Sequence, residues 1–599
     1  MSRFVIVEGN NNDKDNVRAI MVKGEKGAKG DNGEITYSDV VDNLTSSSSQ
    51  LPLSANQGNV LKGLIDKNLK WFKVTTSNTQ AEIQTYMNTE GAKVIEFANG
   101  TYNFSSSFRL NANTEIILNN STLNFSVNHG FYNFLSTDTF FEYNGNGNIK
   151  IMNGKIVGGG FSFCHAKNII FKNIYFLNCL NDHILEMASI NNLVVDSCIF
   201  EGIATQSEER QYVEYIQIDN MTRENFPWFD SSENQTYDDT PNKNWKIINN
   251  EFKEPSTNGY DFYTAIGTHT STTDVFHKNI IIKNNNINNY KFSAIRIINI
   301  DNCTIENNTI SNSLENETTK IAIRGNNNNK NISIINNILD GGNTAIQNFA
   351  ININFKIINN IIKNFLSESG NSGIIGLSRP VEALIYNNDF INCSKKAFNI
   401  LSGSSFTDGL TGSLTIQNNT IDASSSLTST LMTINYNGTV NITNNSFNNN
   451  VSDILNYYFV LGELITDCCI ANNSYNNSRN TNIIDLNGYT GSLSKIKDIQ
   501  FKAYSGDAQI TQDTSLAYNY TQFNKAIVTV GATTSTETVV LYPWAQNRYL
   551  DARTYSFVAF ASSSSTALKC ALKFNSDNTF LFTCDNTAIH IRNINLLNE

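Results

Sequence analysis

The chain has 599 residues, a formal net charge of −11 and a hydrophobic share of 40%. That length exceeds one ordinary compact core, and that hydrophobic share excludes a disordered chain. The acidic balance, with no basic tail, argues against a nucleic-acid partner, because neutralising phosphate needs clustered Lys and Arg.

In chain order, Met1 to Asn10 holds a short apolar patch, Phe4 to Val7, followed by Asn and Asp. It lacks the apolar region and cleavage site of a signal peptide, so export by the general secretory route is not expected. No apolar run is long enough to span a bilayer, and no membrane insertion is expected. Gly24, Gly27, Gly30 and Gly33 recur at every third residue. Only Gly fits at the axis of a collagen triple helix, so this spacing predicts three chains meeting. Leu51-Pro-Leu-Ser-Ala-Asn-Gln-Gly58 follows a serine run, and Val60, Leu61, Leu64, Ile65 and Leu69 then stand at helical spacing. A helix so short needs a partner, and its own copies would supply one. The Pro-Leu-Ser-Ala-Asn-Gln-Gly stretch resembles a segment of phage tail fibres. The division expected here is an attachment segment over 1–23, collagen-like triplets over 24–33, and a linker with a trimeric helix over 34–72.

Gln80 to Asn88 reads as a helix with Ile83 and Met87 on one face. Lys93 to Tyr102 reads as a strand closing in a Gly turn. Helix, strand and Gly-Thr-Tyr together resemble the entry to pectate-lyase-like β-helices and phage tailspikes, where a helix covers the open end of a stack. The repeats follow: Asn244-Trp-Lys-Ile-Ile-Asn-Asn-Glu-Phe252, Asn302-Cys-Thr-Ile-Glu-Asn-Asn-Thr-Ile310 and Asn331-Ile-Ser-Ile-Ile-Asn-Asn-Ile-Leu339. Others begin at Asn148, Asn168, Asn192, Asn279, Asn354, Glu382, Ser413, Thr439 and Asp467. Most starts lie about 20 to 35 residues apart, as stacked repeats require. Alternation of period two marks strands with one face inward. Paired Asn suit the turn that follows, one adopting positive φ and their amides forming ladders. The fold class predicted is all-β: a right-handed parallel β-helix over 73–493, then antiparallel strands over 494–599 forming a β-sandwich that trimerises or binds carbohydrate. The nine cysteines are scattered without a C-x-x-C, and they read as buried thiols rather than a disulfide framework or zinc site.

One interval breaks the spacing. Asn192 and Asn244 begin successive repeats about two coils apart, and the added length, Glu201 to Lys243, is polar. Long insertions on repeat proteins tend to overlie the binding face. A second alignment runs through Tyr215-Ile-Gln217, Ala265-Ile-Gly267, Ala294-Ile-Arg296, Ala322-Ile-Arg324 and Ala345-Ile-Gln347. With each Ile inward, Glu186, Gln217, Gly267, Arg296, Arg324 and Gln347 form one outward column. Asp219 and His269 start a second column, directly above one another. Glu186 then lies diagonally from Asp219 at about 8 Å, within the range of an inverting carboxylate pair. Arg296 and Arg324 would hold acidic sugars or phosphate.

Asp182-His183, Glu214-Tyr-Ile-Gln-Ile-Asp219, Tyr237-Asp-Asp239 and Ile266-Gly-Thr-His269 resemble a pattern of bacterial and phage β-helix proteins of the pectate-lyase-like type. The usual form is Glu-Ala-Ile-Gln-Ile-Asp; here Tyr215 replaces Ala. The resemblance implies carbohydrate chemistry and a phage tailspike. The expected partners are two further copies of the chain, phage tail or baseplate proteins at the N-terminus, and a bacterial surface polysaccharide. The expected location is the virion, released by lysis, and no cofactor or metal is expected. Asp219, His269, Glu186 and Glu214 are the candidate catalytic residues. Gln217, Tyr215, His183, Arg296, Arg324, Asp238 and Asp239 are the candidate binding residues. Three activities remain open. In hydrolysis, which is favoured, Asp219 with Glu186 or Glu214 serves as acid and base. In elimination, His269 or Tyr215 takes a proton and Arg296 steadies the anion. The third is binding without cleavage. His183 and the Tyr237-Asp-Asp239 turn also read as structural, as do His129, His165, His277 and His590. Trp228, Phe229 and Tyr237 read as sugar-stacking rings or as a packed lid core.

Overall fold

A computed structural model describes residues 69–597, apart from several internal stretches that include 204–212, 230–235, 256–261 and 269–271. The expected trimeric helix and collagen-like triplets lie outside the described residues. The first helix is the predicted one: α1, Gln80–Asn88, buries Ile83 and Met87. Thr79 caps it. Its side chain accepts from the Glu82 N–H while Glu82 accepts from the Thr79 N–H, so two N-terminal amide groups are satisfied together. A strand that the sequence did not announce, Lys70–Val74, precedes it and pairs with Lys93–Phe97.

From there the chain winds as a parallel β-helix of three strands per coil. Thr264–Gly267, His277–Lys283 and Asn286–Asn288 make one coil, and Ser293–Ile298, Ile300–Glu306 and Thr309–Ser311 make the next, each strand pairing in parallel with its successor. Alternate residues such as Ile280, Ile282 and Ile287 are fully buried. Predicted repeat starts fall in register: Glu382 pairs with Ser413, Ser413 with Thr439 and Thr439 with Asp467.

The Asn pairs occupy the turn between the second and third strands. The first of each pair has positive φ, as at Asn284, Asn307, Asn336 and Asn359, a conformation Asn tolerates better than most residues. The second is buried. Asn285 Nδ2 donates to Asn308 Oδ1 at 3.0 Å, Asn308 to Asn337 at 2.9 Å and Asn337 to Asn360 at 3.0 Å. The ladder continues through Asn388, Asn419 and Asn445 to Asn473. An amide carries both donors and acceptors, so an in-register column of amides at about 4.8 Å spacing satisfies itself.

The long interval after Asn192 corrects the spacing estimate. Asn191 pairs directly with Lys243, and the Cys198 N–H donates to Asn250 Oδ1 at 2.9 Å. It is one enlarged coil, not two. The C-terminal strands form two four-stranded antiparallel sheets. One holds Phe501–Ala508, His590–Leu597, Lys525–Ala532 and Ser535–Leu541, and the other Thr514–Ser515, Thr579–Cys584, Ala567–Phe574 and Thr554–Phe560.

Candidate functional site

Seven strands carry the site: β1 (Gly160–Cys179), β2 (Leu185–Asp196), β3 (Glu214–Asp219), β4 (Thr264–Gly267), β5 (Ser293–Ile298), β6 (Ile321–Asn326) and β7 (Thr344–Asn348). Their register builds the predicted column and continues it back to Ser162. Ser162 pairs with Glu186, Glu186 with Gln217, Gln217 with Gly267, Gly267 with Arg296, Arg296 with Arg324 and Arg324 with Gln347. The second column holds Cys164, Ala188 and Asp219. His269, expected above Asp219, lies outside the described residues.

Glu186 and Asp219 are therefore one coil and two residues apart, about 8 Å between Cα atoms for ordinary strand spacings. Gln217 stands between them and donates from Nε2 to Asp219 Oδ2 at 2.6 Å. The Asn242 side chain holds the Asp219 carbonyl at 2.7 Å. Glu214 faces His183 on the preceding coil, with Nδ1 3.3 Å from its carboxylate, an ion pair when the imidazole is protonated.

Tyr215 is not in the groove. It is fully buried, its ring 4.6 Å from Phe262 and also beside Phe200 and Phe252, and its hydroxyl accepts from the Gly202 N–H at 2.6 Å. Tyr215 and Ile216, successive along the strand, both belong to the inner core cluster. Ala265 with Ile266 and Ala294 with Ile295 do the same. The Tyr in place of Ala fills the enlarged coil from within.

Gly267 serves the opposite face. A Cβ there would stand 3.1 Å from Glu214 Cγ and 3.3 Å from Arg296 Cβ, so its absence lets both side chains pack alongside. Arg296 and Arg324 both overlie Phe292, their guanidinium carbons 5.9 Å and 4.3 Å from its ring centre. Arg324 also donates from Nε to Asn326 at 3.3 Å.

The inserted segment lies over the second column. Met221, Phe226 and Phe229 pack with Phe134 on the outward residues Cys164 and Ala188, and Tyr237 flanks them. Phe229 and Tyr237 thus belong to a small lid core. Asp238 accepts from the Glu142 and Thr240 N–H groups at 2.7 Å and 3.0 Å, and Asp239 from the Thr272 hydroxyl at 2.9 Å. These carboxylates fasten the segment. The outward column is consequently more buried than an open groove would be: Asp219 is 1% exposed, Glu186 5% and Arg296 6%.

Trp228 differs from its neighbours, with 38% of its surface exposed. Its indole N–H donates to Glu186 Oε1 at 3.1 Å, and its ring stands edge-on to His129 with centroids 4.4 Å apart. His129 Nδ1 lies 2.7 Å from Ser162 Oγ, which donates to Glu186 Oε2 at 2.5 Å. Ser162 gave no signal in the sequence and His129 read there as structural, because neither sits in an Ala-Ile-x repeat. His165 and His277 are structural. His165 bonds the Glu142 and Thr236 carbonyls, and burial pulls His277 down to about 3.

No family profile matches the chain. A curated relative, Plasmin and fibronectin-binding protein A of Streptococcus pneumoniae, is 27% identical over 175 residues, which are 28% of this chain and 23% of that protein. The chain thus covers less than a quarter of that relative's length. Among solved structures, PfbA, a surface adhesin of S. pneumoniae, aligns at a TM-score of 0.42 and 18% identity, covering 70% of this chain and 91% of that one. The tailspike protein of E. coli bacteriophage HK620, solved with a pentasaccharide, aligns at 0.44 and 11% identity, covering 92% and 96%. At these identities and TM-scores neither likeness assigns a fold family or an activity to this chain.

Proposed function

We propose that this chain is the tailspike of a bacteriophage, a homotrimer that binds a bacterial surface polysaccharide and hydrolyses its glycosidic bonds. The observation carrying this reading is the register that sets Glu186 and Asp219 one coil and two residues apart on the outward face beneath an inserted segment. In this reading Glu186, which accepts from Trp228 and Ser162, is held as a carboxylate and activates water. Asp219 protonates the leaving oxygen. Arg296 and Arg324, in register on adjacent coils, hold an acidic sugar further along the column. His183 orients Glu214 beside the pair. The short collagen-like run and the tail-fibre-like segment motivate the trimer and the attachment of the N-terminus to phage tail or baseplate proteins.

A second reading, binding without cleavage, is favoured by the burial of Asp219 and by the use of both Glu186 oxygens within the protein. Elimination is left without Tyr215, which points inward. Incubating the protein with purified surface polysaccharides separates these readings. New reducing ends without a conjugated double bond support hydrolysis, and an ultraviolet-absorbing product supports elimination. A polymer bound and left intact supports binding alone.

A further inference from the structure

We propose that Trp228, His129, Ser162 and Glu186 form a saccharide subsite in which one pyranose ring stacks on the indole and one hydroxyl donates to His129 Nε2. This inference rests on the polysaccharide reading and names which side chains grip the sugar.

The hydrogen count sets the chemistry. Ser162 has one hydroxyl proton, and it goes to Glu186 Oε2, because an ionised carboxylate only accepts. The contact between Ser162 Oγ and His129 Nδ1 must then be donated by the imidazole, which places the ring proton on Nδ1. Burial lowers the His129 pKa from its usual value and so favours the neutral ring, against the Glu186 carboxylate 3.9 Å from Nδ1. Nε2 consequently carries a lone pair, and it has no hydrogen-bond partner among the described residues. An acceptor of fixed direction beside an exposed aromatic face suits a ring that offers C–H groups on one side and hydroxyls at its rim.

The indole is also held in place. An exposed Trp that rotates freely loses side-chain entropy on binding; here its N–H is tied to a carboxylate that is itself buried. Preorganisation of this kind raises affinity without adding a contact. Ser162 and Glu186 are positioning residues in this subsite, acting through His129 and Trp228.

The test uses the full chain against a panel of immobilised capsular and O-antigen polysaccharides, followed by titration with the polymer it binds. Trp228→Ala should weaken binding at least tenfold with an unchanged melting profile. Trp228→Phe, which keeps a ring but cannot donate to Glu186, should retain part of the affinity. His129→Phe should weaken binding by about fivefold, as for one lost hydrogen bond. The change in tryptophan emission on binding should vanish in Trp228→Phe, although three other tryptophans remain among the four. Wild-type binding with undiminished affinity in Trp228→Ala and His129→Phe overturns the subsite and leaves the polysaccharide reading standing. A wild-type chain that binds no polymer of the panel overturns both.

Discussion

Two walls of this β-helix bury polar side chains, and they do so differently. On one wall Asn285, Asn308, Asn337 and Asn360 repeat the same residue in the same place, each satisfied by its neighbour. On the other, the register runs Ser162, Glu186, Gln217, Gly267, Arg296, Arg324 and Gln347, changing chemistry at every coil but one. A repeating fold needs a residue that pairs with itself. A column that abandons self-pairing, and buries charge while doing so, is not explained by stacking. The comparison therefore separates residues that pair with their own kind from coil to coil from buried polar residues that do not, and mutations can break it on either side.

The largest effect is expected in the uniform ladder. Asn337→Ala removes the acceptor of the Asn308 N–H and Nδ2 and the donor to the Ile305 carbonyl. The Asn308 N–H and the Ile305 carbonyl lose these partners, while Asn308 Nδ2 keeps the Ile282 carbonyl; at roughly 1 to 3 kcal/mol per group left unpaired, this predicts a loss of about 3 kcal/mol. Urea unfolding would show it, with hydrogen exchange accelerated around residues 308–360, since stacked repeats unfold locally. Polymer binding by the folded fraction should not change. Equal stability in the variant would mean that the ladder is incidental.

A titrating group at a different turn of the coil, the one that opens the second strand, sharpens the same point. His277 takes the place that Asn takes elsewhere: it accepts from the Asn242 N–H at 3.0 Å, as Asn329 accepts from the Ile300 N–H. Burial lowers its pKa from 6.5 to about 3, so the unfolded chain binds a proton that the folded chain refuses. Its contribution is complete above about pH 6.5 and is lost as pH falls toward 3, at about 1.4 kcal/mol per unit. Between pH 6.5 and 4 the wild type should lose about 3 kcal/mol more than His277→Gln. Parallel curves for the two proteins would rule out this role.

On the varied wall, the hydrolase reading proposed above predicts that Asp219→Asn and Glu186→Gln each slow polymer cleavage by about a hundredfold or more. As open-groove residues they would be almost neutral to stability, but Asp219 accepts from Gln217 beneath the inserted segment. A stability change of about 1 kcal/mol is therefore expected as well. Measuring cleavage per folded molecule keeps the two effects apart. Unchanged cleavage in both variants would move the chemistry elsewhere.

How far the sequence was legible follows from the same contrast. The Asn pairs and alternating Ile revealed the coils because each repeat solves the same packing problem. The Ala-Ile-x alignment placed Glu186, Gln217, Arg296 and Arg324 correctly because register is inherited from coil to coil. It misplaced Tyr215, since strict alternation sends only one of two successive residues inward, and Tyr215 and Ile216 both belong to the inner core cluster. It gave no sign of the His129–Ser162–Glu186–Trp228 contacts. Those residues come from an early coil, two successive strands and an insertion, and no sequence period links them.

The smallest effect tests how much of the regular pattern is side-chain pairing at all. A second Asn ladder runs along the surface, where Asn302 donates to Asn279 at 2.8 Å and Asn279 to Asn244 at 2.9 Å. These residues are exposed, so water replaces any bond that is lost. They also have positive φ, 57° at Asn279. Asn279→Gly removes the ladder contact and keeps a residue at ease in that conformation, so stability should change by only a few tenths of a kcal/mol. Asn279→Ala removes the same contact and places a Cβ in the left-handed region, at about 1 kcal/mol. A thermal melt that ranks wild type and Gly together, with Ala below, assigns the outer Asn to backbone geometry. Gly falling as far as Ala would instead give the exposed amide ladder a stabilising role of its own, and the distinction between inner and outer ladders would fail.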